Sequence, residues 1–167
     1  AGISYFAFNN RGAHYIQKLT RKTRGKEKEK VDYGTAFELI KDCVYDIDSA
    51  LNYLKSQGYQ EFYLIGSSTG ANKICVYNFY KPRNLVRGYV LVGGGDDLGI
   101  YYQALGHKRF MYFLNRAKIM ARTAQRRELI PEIAVLYHPM SWQALYGTIN
   151  PDGDYNVFPF LEDFNKL

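Results

Sequence analysis

A chain of 167 residues that is 47% apolar and 16% aromatic holds enough material for one sizeable core and not for two, so a single domain is expected. Its formal charge of +6 is gathered in two stretches rather than spread, which argues against a single nucleic-acid surface, and no run approaches the roughly 18 to 20 apolar residues of a membrane span. Cys43 and Cys75 sit among apolar helical neighbours and read as reduced thiols; with no signal-peptide pattern at the amino end they point to a cytoplasmic setting, and no cofactor or metal is called for.

The first predicted element is a buried strand over Ile3-Ser4-Tyr5-Phe6-Ala7-Phe8, ending at the turn-forming Asn9-Asn10-Arg11-Gly12. Ala1-Gly2 enters it without a turn or cap, so a targeting signal ahead of it stays open. Residues 17–30 are rich in Lys and Arg, offset by Glu27 and Glu29, and show no apolar period. They read as a solvated surface excursion, with phosphate or partner binding as the sharper alternative. From Phe37 to Gly58 the apolar positions recur at helical spacing, Asp42, Asp46 and Asp48 lie towards the positive amino end, and Gly58 supplies a stop. That placement makes a metal-ligand role for the three aspartates unnecessary.

The strand Glu61-Phe62-Tyr63-Leu64-Ile65 runs into Gly66-Ser67-Ser68-Thr69-Gly70, and Ala71 to Tyr80 is helical in pattern until Pro82. A second strand, Gly88-Tyr89-Val90-Leu91-Val92, ends in Gly93-Gly94-Gly95-Asp96-Asp97. Strands alternating with amphipathic helices imply an α/β fold with a parallel sheet covered on both faces. Gly106 to Arg127 reads as a basic helix, and the aromatic, turn-rich tail from Tyr137 to Leu167 as a short helix near 141–146 plus ordered loop.

A serine hydroxyl attacks a carbonyl only when a base takes its proton and donors hold the oxyanion that forms. A sharp turn between strand and helix lifts the hydroxyl clear of the sheet, and glycines two residues to either side let the backbone close. Gly66, Ser68 and Gly70 have this spacing, directly after an apolar strand and at the start of a helix. Ser68 is therefore the candidate nucleophile, ahead of Ser67, and the Thr69 N–H at the helix start is the candidate oxyanion donor.

The order of strand, Asn-Arg-Gly loop, helix, elbow, helix, Gly-Gly-Gly-Asp-Asp strand end and helical insert resembles the middle of an α/β-hydrolase, and Ile65 to Asn72 resembles the elbow of its serine esterase and lipase-like members. The resemblance implies a partial α/β-hydrolase fold, incomplete at both ends, with core 1–97, helical cap 98–136 and a return segment 137–167. It implies a serine hydrolase acting on a carboxylic ester, thioester or related small acyl substrate. In the family the second oxyanion donor precedes the first strand here, and the acid and the base follow strands beyond the cap, so these are expected outside the chain. Asp96 and Asp97 occupy a place where some members carry the acid, and are the alternative within it. None of His14, His107 and His138 lies at the end of a late strand, where the family places its base. The family order also implies that strand 61–65 pairs in parallel with 88–92 and stands roughly 10 Å from 3–8, the slot between them being filled by another chain or by further residues. The alternative from another class is a non-catalytic binding module of the same fold, using its basic surface at 17–30 and 106–127.

Overall fold

The protein is described by a computed structural model that covers residues 2–22, 25, 27–131 and 138–159. It is a mixed α/β structure with four α-helices, a two-stranded parallel sheet and a separate antiparallel hairpin among these residues. The hairpin pairs β1 (Gln17–Arg21) with β2 (Glu29–Tyr33). Its register sets Lys18 opposite Asp32 and Arg21 opposite Glu29, and both couples close as ion pairs, at 2.6 and 2.8 Å. The described ends of the expected solvated excursion are thus largely exposed but folded. Opposite charges across the ladder take the place of an apolar face.

Two 3-10 turns, Thr35–Phe37 and Ile40–Asp42, lead into α1 (Cys43–Ser56), which Gly58, at a φ of 92°, terminates. Cys43, Val44, Ile47 and Leu51 turn one face of α1 into a core with Phe62, Ile74 and Tyr77. The three aspartates have partners beyond the helix dipole. Arg11 grips Asp46 through its backbone N–H and its guanidinium and lies 3.8 Å from Asp42, while Asp48 receives Lys81 and the Tyr77 hydroxyl.

β3 (Phe62–Ser67), α2 (Thr69–Tyr80) and β4 (Val86–Val92) form one strand–helix–strand unit, with Leu64 opposite Tyr89 and Ile65 opposite Val90 in parallel register. This is the pairing expected of 61–65 with 88–92. The expected strand over 3–8 is absent. Ile3 and Tyr5 are fully or largely exposed, Phe6 leans on Tyr53 of α1, and Ser4 meets the Tyr59 hydroxyl. The physical reason lies in the turn that follows. Arg11 is tied to α1 and Asn10 to Lys73 of α2, which carries the preceding residues past the end of α1 instead of along the free edge of β3. Nor is the sheet covered on both faces. α2 packs on one, but Tyr63, Ile65, Val90 and Val92 on the other remain 48 to 64% exposed among the described residues.

α3 (Asp97–Met120) starts earlier than the expected basic helix and kinks at Gly106, whose φ of 70° and ψ of 158° interrupt it. It packs against α4 (Trp142–Ile149), the expected short helix, in a second core that includes Leu98, Phe110, Phe113, Trp142 and Leu145. Ser141 caps α4, and its own N–H reaches Ala36 O at 2.7 Å, stitching α4 to the first 3-10 turn. No helix among the described residues is long and apolar enough to cross a membrane.

Candidate active site

The turn from β3 to α2 takes its shape from one residue. Ser68 has φ 54° and ψ −129°, a conformation that costs a non-glycine residue about 1–3 kcal/mol and persists only when its surroundings enforce it. The enforcement is visible on both sides. Ser68 N donates to Val92 O of β4 at 2.9 Å, and Ser68 O accepts from Ala71 N at 2.8 Å. A Cβ on Gly66 would lie 2.3 Å from Gly70 O, so the strand can meet the helix this closely only with glycine at 66. Gly70 has open space around it, and no steric demand explains it. Ser68 is exposed at the carboxyl end of the strand, and the Thr69 N–H beside it is the first of α2, without an intrahelical acceptor. Ser67 ends β3 on the same bare face as Tyr63 and Ile65.

Beside the elbow, where the two cores meet, lies a cavity of about 340 Å³ bounded by Thr69 and Lys73 of α2, Asp97 and Tyr101 of α3, His138 and Tyr155. Its floor is ionic. Lys73 is 7% exposed and Glu38 8%, and they pair at 2.6 Å; Lys73 also donates to Asn10 Oδ1, and the Tyr155 hydroxyl donates to Glu38 Oε2 at 3.0 Å. Burial and the neighbouring Glu38 carboxylate hold the Tyr155 phenol well above its ordinary pKa, so it remains a donor. Gly12 approaches Glu38 so closely that a Cβ would overlap the carboxylate at 1.8 Å. A second groove, of about 310 Å³, lies at the opposite, amino ends of β3 and β4 between Phe62 and Leu85.

The two aspartates after β4 divide their roles. Asp96 caps α3 by accepting from Gly99 N at 2.8 Å and is buried. Asp97 lines the cavity, and burial, then the adjacent Asp96, push its carboxyl up to about 6. Asn72, fully buried in α2, holds Gly95 by donating to its O and accepting from its N, and donates to Asp97 Oδ2. Of the histidines, His14 is exposed in a left-handed turn and His107 meets Tyr102 on the surface of α3. His138 reaches the cavity, stacked on Tyr15 and bonded to the Tyr101 hydroxyl at 3.3 Å. No imidazole hydrogen-bonds to Ser68 among the described residues. Burial pushes the Cys43 thiol up to about 12, which keeps it protonated and unreactive.

The structure therefore brings Thr69 and Asp97 to one cavity next to Ser68, and directs Asp96 into a cap. Lys73, Glu38, Tyr101 and Tyr155 belong to no motif in the sequence. One signal was available: Lys73 lies between buried Asn72 and Ile74, a charge on the buried side of a helix. Part of the basic surface is engaged within the fold, with Arg116 over Tyr112 and Trp142, Arg109 over Phe113 and Arg127 over Phe37, while Lys108, Lys118, Arg122 and Arg126 are exposed. Arg24, Lys26, residues 132–137 at the junction of the expected cap and return segment, and residues 160–167 at the end of that segment lie outside the described residues. Comparison of the chain with protein-family models, with curated proteins and with solved structures finds no match in any of the three.

Proposed function

We propose that the protein is an α/β-hydrolase-type serine hydrolase that cleaves a carboxylic ester, thioester or related acyl substrate. The observation that carries this reading is the strained backbone of Ser68, φ 54° and ψ −129°, between a parallel strand and the start of a helix. Strain of this kind is maintained against a stability cost, and here its effect is to hold a hydroxyl out over the strand ends. In the step proposed, Ser68 Oγ gives its proton to a base and bonds to the acyl carbon. The carbonyl oxygen becomes an oxyanion held by Thr69 N–H, and the leaving alcohol or thiol departs with a proton. Water then releases the acid and restores the serine. The base lies outside the described residues, and further strands along the free edge and bare face of β3 would complete the sheet, in keeping with the exposed Tyr63, Ile65 and Val90.

Turnover of p-nitrophenyl acetate by the full-length protein tests the reading. Ser68→Ala is expected to lower kcat by about 10⁴ or more, leaving the small residue that oxyanion binding alone supplies. Ser67→Ala is expected to retain most of it. Equal turnover by the Ser68→Ala variant would remove the serine from the chemistry.

A further inference from the structure

We propose that the cavity beside the elbow seats a compact ammonium group, held by the Asp97 carboxylate and the Tyr101 ring and hydroxyl, so that the acyl substrates of Ser68 carry a primary amine. The inference rests on the hydrolase reading for the word substrate, but not for the site itself.

Three observations support it. Shape comes first: at about 340 Å³ the cavity is at the small end of ligand sites, and it is bounded mainly by polar groups, with Met140 as its chief apolar wall. A long acyl chain would take water from Asp97 and offer its carboxylate no new partner, a cost such a chain cannot recover. Charge comes second. Lys73 and Glu38 cancel in their 2.6 Å pair, and Asn10 and Tyr155 complete their bonding, which leaves Asp97 as the net charge of the wall. Partnership comes third. Among the described residues Asp97 forms no ion pair and accepts one hydrogen bond, from Asn72 at 3.1 Å. A carboxylate partly withdrawn from water gains most from a cation, and an N⁺–H donor of ligand size fits the room in front of it. The Tyr101 ring, 4% exposed, lines the same cavity and supplies the aromatic surface that ammonium groups favour.

The probes are ethylammonium, ethanol as its neutral counterpart and acetate as its charge opposite, each titrated into the full-length protein and followed by calorimetry and by NMR. Ethylammonium is expected to saturate with a Kd on the order of millimolar, the range open to a ligand of this size. Ethanol and acetate are expected not to saturate in that range. Asp97→Asn should weaken ethylammonium by about tenfold or more. Because that variant can disturb the α3 start, a wild-type readout stands beside it: nuclear Overhauser contacts from the ligand methyl to the Tyr101 ring. Tighter binding of acetate, ethylammonium binding unchanged in Asp97→Asn, or the absence of the Tyr101 contacts overturns the assignment. Saturable amine binding with an inert Ser68 would keep the cavity assignment and remove the hydrolase reading, whereas a reactive Ser68 without amine binding would do the reverse.

Discussion

At the scale of single residues, the site is defined by groups held against their solution preferences. Ser68 occupies backbone space that side chains avoid, Lys73 and Glu38 are charges withdrawn from water, and Asp97 is a carboxyl raised to about 6 by burial and by Asp96. The last has a direct consequence for stability. A carboxyl whose folded pKa exceeds its unfolded value favours the folded state only while protonated in it, so the contribution is fully present below the unfolded pKa and is lost as pH rises through about 6. Asp97→Asn should accordingly gain on the wild type between about pH 4 and pH 6, which denaturant midpoints across that range measure. Parallel profiles would show that Asp97 is solvated.

At the scale of elements, the elbow depends on the contact between β3 and the first turn of α2. Gly66→Ala places a methyl 2.3 Å from Gly70 O, and since that oxygen is backbone the strand must move away from the helix. A loss of about 2 kcal/mol or more in unfolding free energy is expected, with Ser68 displaced; a variant with wild-type stability would mean the turn is looser than described. This unit was legible in the sequence because everything that makes it is local: an apolar run, two glycines at fixed spacing, then a helical period. The β1–β2 hairpin was not legible, because its strands carry no apolar alternation and are matched by charge instead, Lys18 to Asp32 and Arg21 to Glu29 across the ladder. Residues 3–8 misled for the opposite reason. Ile3, Tyr5 and Phe8 have strand character, but a strand exists only where an edge receives it, and the Arg11–Asp46 and Asn10–Lys73 links take the chain elsewhere.

At the scale of the whole molecule, two cores meet at one cavity, and the residues that close it come from far apart in sequence. Tyr155 reaches Glu38, Lys73 reaches Asn10, and Tyr101 reaches His138, so the elbow was readable in advance and the cavity was not. The cavity opens beside the carboxyl ends of β3 and β4, the place where parallel α/β sheets put their ligands, and the bare face of Tyr63, Ile65, Val90 and Val92 lies on the sheet away from α2. The account turns on whether this architecture makes Ser68 a nucleophile. Treating the full-length protein with a fluorophosphonate and mapping the adduct by peptide mass spectrometry asks that question directly. The prediction is a single phosphonylated residue, Ser68, and no adduct in Ser68→Ala; an unmodified Ser68, or a label carried by Ser67 or another residue, would contradict it.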